Sequence, residues 1–192
     1  YYESSPVLID VGVGTYTRQT FGTERYSIWT MRSDYHNIPV VNGIVQKDGE
    51  SFKAKKVVFT ENKKQFSVDI SSAYPQGARV EKWIRTYKLE KNKLVITDDF
   101  AVANPEQNNR IVFMVSGEPC IDAAGKIKME TNNQAKTLLL QYDKDSFSPA
   151  IETVTVDDPQ LASVWGNELY RIVLTGKTLL EKGLYTYSIS KM

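Results

Sequence analysis

The stretch VEKWIRTYKLEKNKLVITDDF, residues 80–100, decides the fold. Lys91-Asn92 reads as a hairpin tip, and beyond it Leu94, Ile96, Phe100 and Val102 share one side of the chain at a period of two. That period marks a half-buried antiparallel strand, here 93–103, with its partner over 79–89. Asp98 falls on the same apolar side, so the alternation points a carboxylate at the core. A buried carboxylate must be paired, and Arg85 on the preceding strand is its predicted partner across the hairpin.

Working outward, the same period recurs. Phe66, Val68 and Ile70 alternate with Ser67, Asp69 and Ser71, while Ile111, Phe113 and Val115 share another face. The remaining strands are predicted at 6–12, 25–33, 39–46, 52–60, 64–71, 109–117, 126–131, 136–142, 150–157, 168–175 and 183–190. Turn signals such as Lys47-Asp48-Gly49, Tyr74-Pro75-Gln76-Gly77, Asn104-Pro105 and Gly125 separate the runs and leave little room for helices. Only DDPQLASVWGNE, residues 157–168, suits a helical turn, with Asp158 as cap and Pro159 in the first position. The pattern predicts an all-β fold, a two-sheet antiparallel β-sandwich with almost no helix. No repeat or low-complexity linker interrupts it, so residues 1–192 are read as a single domain.

Composition narrows the function. A chain of 192 residues, 41% hydrophobic, is large enough for a real core. Its 24 basic residues nearly cancel 23 acidic ones, which gives no argument for a nucleic-acid or membrane partner. The one cysteine, Cys120, forms no internal disulfide, leaves the compartment open and reads as a strand-end thiol without a role. No apolar run approaches the roughly 18 residues of a membrane-spanning helix. The sequence opens Tyr1-Tyr2-Glu3, without an initiating methionine or a signal segment, and is read as an excerpt from a longer polypeptide.

The chemistry-bearing residues are few. A serine or cysteine nucleophile needs a histidine base, and the one histidine, His36, has no nucleophile elbow near it. A closed zinc site wants four Cys or His ligands, and the chain has one of each. DVGVGTY, residues 10–16, lacks the third glycine of a dinucleotide fingerprint, and no carboxylate pair for glycoside hydrolysis emerges. Aromatic residues crowd the first 36 positions, where they serve either the core or sugar stacking. There, too, a strand brings Asp10 to its end and a later segment delivers His36-Asn37. If the two segments pair, carboxylate and imidazole meet, either as two ligands of an open zinc site or as a plain hydrogen-bonded pair.

The same stretch resembles the heparinase II/III-like polysaccharide lyases. Asp10, Gly12, Tyr16, Arg25, His36, Asn37 and Gly43 match the pattern, well over residues 6–49, fairly over 79–117 and thinly beyond. The resemblance implies a parent with an N-terminal α/α toroid followed by an antiparallel β-sandwich, this chain being the second part. It implies zinc in the intact parent, with Asp10 and His36 as metal ligands; the third ligand, an upstream histidine, is absent here. It implies Tyr16, Arg25 and Asn37 near the substrate, an acidic polysaccharide such as heparan sulfate. Arg25 would favour an anionic sugar, its bland alternative being an ion pair with Glu24 or another acid. Because the family's acid and base come mostly from the toroid and from the missing upstream strand, no catalytic residue is assigned to this chain.

The expected function is therefore the sandwich part of a periplasmic or secreted bacterial lyase that cleaves uronate-containing glycans by β-elimination and is inactive alone. A non-catalytic carbohydrate-binding or structural sandwich is the alternative.

Overall fold

The computed structural model describes residues 2–130 and 137–192, and these form two antiparallel sheets. The strands are β1 (Pro39–Val40), β2 (Lys55–Thr60), β3 (Gln65–Asp69), β4 (Val80–Leu89), β5 (Lys93–Val102), β6 (Arg110–Val115), β7 (Cys120–Ala123), β8 (Lys126–Glu130), β9 (Thr137–Tyr142), β10 (Phe147–Thr155), β11 (Glu168–Gly176) and β12 (Lys182–Lys191). The smaller sheet runs β1-β6-β11-β10 and the larger β2-β3-β4-β5-β12-β9-β8-β7. The expected β-sandwich is what the chain forms.

The deciding hairpin forms as the alternation requires, Arg85 opposite Asp98 and Tyr87 opposite Ile96. The pleat sorts the large sheet into two faces. Outward lie Ser67, Thr86, Thr97 and Thr186 in one cross-strand row, with the Ser67 and Thr86 hydroxyls bonded at 3.1 Å. Inward lie Tyr87, Ile96, Tyr187 and Tyr142 in the next. Between the sheets, rings fill the core: Trp83 stacks on Phe100 at 5.0 Å, Phe100 meets Tyr185 at 4.6 Å, and Phe147 contacts both Tyr185 and Tyr187. Rings at these separations add to the stabilisation from burial alone.

Four expectations are corrected. Residues 25–33 are not a strand: Thr23–Ser27, Trp29–Met31 and Ser33–Tyr35 are 3-10 turns. Their N–H groups bond three residues back, as Ile28 to Arg25 and Met31 to Ile28, so the backbone is satisfied without a ladder. Residues 6–12 form no strand; they make the single bridge Leu8–Val115, closed by the bonds from Ile9 N to Met114 O and from Ser116 N to Val7 O. Strand 39–46 stops at Val40, because Asn42 and Gly43 take φ of 50° and 74° and reverse the chain between Val41 and Ile44. That Asn-Gly pair is the strongest short hairpin signal a sequence offers. The short, exposed edge strand β7 was not expected, and Cys120 begins it, exposed. The ends of two expected strands, at 131 and 136, lie outside the described residues.

The one α-helix among the described residues, α1 (Pro159–Trp165), starts as expected: Pro159 opens it and the Asp158 carboxylate accepts from Leu161 N at 3.0 Å. Leu161 seats the helix in a second small core with Ile9, Val11, Met114, Val156 and Leu169.

Candidate functional site

Asp10 and His36 do meet. His36 Nδ1 lies 2.8 Å from Asp10 Oδ2, with the two side chains 30% and 63% exposed. Gly12 N donates to the other Asp10 oxygen at 3.3 Å, a reach helped by the positive φ of Gly12, 79°.

What holds the pair together is the residue after the histidine. Asn37 Nδ2 donates to Ile9 O at 2.7 Å, and Asn37 Oδ1 accepts from Met114 N at 2.8 Å. One amide thus ties the peptide beside His36 to the peptide beside Asp10 and to β6. The carbonyl of Asn37 is held in turn by Arg85 Nη1 at 2.7 Å. Arg85 is buried and spends its other nitrogens on Asp98, Nε to Oδ1 and Nη2 to Oδ2, both at 2.7 Å. Trp83 Nε1 donates to Asp98 Oδ1 at 2.8 Å, so the carboxylate is fully engaged. Burial alone would pull the Arg85 guanidinium down, but the Asp98 carboxylate and its hydrogen bonds more than reverse this and hold it charged. Nearby, the Tyr74 hydroxyl donates to Pro39 O at 2.6 Å, and burial pushes that phenol well above its ordinary range.

His36 also lines an open cleft of about 510 Å³ with Tyr26, Met31, Arg32, Gln46, Lys47 and Pro75 among its walls. Arg32 is fixed by a two-pronged bond to Asp34, at 3.0 and 2.8 Å. Beneath them Arg171 of β11 donates to Asp34 O at 2.9 Å and places its guanidinium 4.6 Å from the centre of the Tyr35 ring. The sequence reading missed Arg32, Lys47 and Arg171. Arg32 lies in the segment read as a strand, and no local pattern marks Arg171, which is 135 residues from His36 in sequence.

The other candidates sit differently. Tyr16 is exposed and rests against Phe21 at 5.5 Å. Arg25 lies over the Tyr26 ring at 5.8 Å and points a nitrogen at Met31 Sδ, 3.9 Å away. Neither belongs to the cleft wall beside His36. Asn37 commits its side chain to backbone groups rather than to the cleft.

A carboxylate oxygen and an imidazole nitrogen are donors that zinc accepts. Two such ligands on one tetrahedral zinc stand about 3.4 Å apart at ordinary bond lengths, so a small side-chain rotation would admit the ion. Among the described residues no group of three or more His, Cys, Asp or Glu gathers, so further donors would have to come from elsewhere. With Nδ1 held by Asp10, the imidazole keeps Nε2 for a proton or a ligand. Arg32, paired with Asp34, and Lys47 bring positive charge to the same cleft, and Asp48 a negative one.

No family model matches the chain, and no curated relative matches it. Solved structures do. Heparan sulfate lyase HepC from Pedobacter heparinus superposes with a TM-score of 0.65 over 96% of this chain at 14% identity. A heparinase III with methylated lysines does so with 0.69 over 100% at 13%. In both cases the chain spans only 28% of the solved protein's length. At this identity the likeness is one of architecture: the chain has the fold of a segment of the heparinase III lyases.

Proposed function

We propose that this chain is the β-sandwich part of a polysaccharide lyase that cleaves an acidic, uronate-containing glycan of the heparan sulfate kind by β-elimination, and that it is inactive without the rest of its parent. The observation that carries the reading is the Asp10–His36 pair, held at 2.8 Å beside a cleft that also carries Arg32 and Lys47, within a heparinase III fold. Elimination requires that the sugar carboxylate be neutralised before the adjacent proton becomes acidic. Guanidinium and ammonium groups supply that charge. Asp10 and His36 are the proposed zinc ligands, the ion supplying positive charge that orders the loops under the cleft. Asn37 positions both ligands through Ile9 and its own peptide. Tyr16 and Arg25 stand exposed on the loop between the two ligands and are proposed to meet glycan. A toroid domain of the same chain and a periplasmic or secreted location complete the proposal.

The test uses the full-length protein: zinc by elemental analysis, and release of unsaturated uronate from heparan sulfate, for wild type and an Asp10→Ala, His36→Ala variant. Near-stoichiometric zinc and activity, both lost in the variant, support the reading. A metal-free, inactive wild type sinks it in favour of a carbohydrate-binding module.

A further inference from the structure

The larger sheet is wider than the smaller one, and its inner face carries an aromatic row past the edge of the core. From β5 outward the cross-strand register is Ile96, Tyr87, Phe66, Phe59. Directly opposed residues share a face, so all four side chains are inward-facing. Ile96 is buried at 3% and Tyr87 packs partly against the core, whereas Phe66 is 37% exposed and Phe59 67%. The Phe66 and Tyr87 rings are 6.2 Å apart. Val57 of β2 and Leu89 of β4 are exposed too, whereas Val58, opposite Ser67, is exposed on the outer face. An apolar sheet face left in water calls for an occupant.

The charge around this row selects its chemistry. Lys53 precedes β2, Lys55 and Lys56 begin it, and Lys63 and Lys64 lie at the turn into β3, all exposed; Glu61 is the one acid between residues 52 and 66. Lys56 reaches Asp69 at 3.6 Å, while Lys53, Lys63 and Lys64 make no ion pair among the described residues. A chain laid across the strands over the aromatic row would therefore have lysines on both flanks. Neighbouring strands repeat at about 4.8 Å and the Phe66 and Tyr87 rings stand 6.2 Å apart, so successive rings of the row are spaced on the scale of successive sugar rings in an extended glycan.

We propose that the β2–β3 hairpin is a second glycan site, remote in sequence from His36, on which an acidic polysaccharide stacks its sugar rings along Phe59, Phe66 and Tyr87 while the flanking lysines neutralise its acid groups. The site deepens the function proposed above and rests on its substrate class.

The experiment measures binding of heparin, polyglutamate and neutral dextran to the full-length protein at several salt concentrations. Variants are Phe59→Ser with Phe66→Ser, and Lys63→Gln with Lys64→Gln. The site predicts that heparin binds best, that the serine pair weakens it roughly tenfold or more with an unchanged circular dichroism spectrum, and that the glutamine pair flattens the salt dependence. Heparin affinity untouched by the serine pair overturns the proposal. So does polyglutamate binding as tightly as heparin, which would leave charge alone at work. Sedimentation showing a dimer that the serine pair dissolves would assign the face to a second copy and overturn it as well. Failure of the lyase reading shows separately, as absence of unsaturated uronate from wild type.

Discussion

At the residue scale, Arg85 is the hinge between core and site. Its pairing with Asp98 was legible because a carboxylate on an apolar strand face admits few partners. Its third bond, to the Asn37 carbonyl, was not, since a contact across 48 residues leaves no periodic trace. Removing one partner strands a buried charge, so Arg85→Met alone is expected to cost about 3–5 kcal/mol in chemical denaturation. Adding Asp98→Leu should recover much of that loss while leaving the Asn37 carbonyl without its donor. Hydrogen exchange at residues 36–38 should then stay fast in the double variant; protection equal to wild type would show that Arg85 does not hold the loop. Asn37→Ala removes two hydrogen bonds and strands the Met114 N–H, an expected loss of roughly 2–3 kcal/mol, accompanied by loosening of the Asp10–His36 contact. Histidine NMR shifts unchanged in that variant would refute the positioning role.

Among the elements, the β2–β3 hairpin carries its own acid sensitivity. Burial pushes the Asp69 carboxyl up, but bonds from the Ser71 hydroxyl and N–H, with Lys55 and Lys56, more than offset it, so the carboxyl titrates below its ordinary value. A depressed carboxylate stabilises the fold above its unfolded pKa of about 3.9 and loses that contribution as pH falls through the folded value. Asp69→Asn should thus destabilise at neutral pH and cost progressively less below about pH 4; a constant difference across that range would remove Asp69 as the cause. Helix α1 is tied to the Asp10 loop in a similar way. Asp158 gives one oxygen to Leu161 N and the other to Thr15 N at 2.7 Å, and a side chain on Gly14 would come within 2.9 Å of it. Gly14→Ala is expected to lower the melting temperature, and an unchanged transition would show that Asp158 moves aside freely. The helix cap was readable from Asp158-Pro159, whereas the 3-10 run through 23–35 was not, because short i-to-i+3 turns leave no long hydrophobic period.

For the whole molecule, the sandwich was legible because alternation repeats in nearly every run, and sheet order was not, because register depends on partners far apart in sequence. The unequal sheets predict a gradient: amide exchange should be slowest in β5 and β12, the two central strands of the larger sheet, and fastest in β2, an edge strand that faces water on both sides. Uniform protection across the larger sheet would mean that something already covers β2. The place of β12 has a further consequence. It lies between β5 and β9, in the middle of the eight-stranded sheet, although residues 182–191 are the last of the described strands to be made. During synthesis, β2–β5 and β7–β9 must therefore wait on the ribosome as two open half-sheets with facing unpaired edges. Such edges invite association with other nascent chains. A stop codon before residue 182 would make that exposure permanent, so truncated products should be found in aggregates rather than in the soluble fraction.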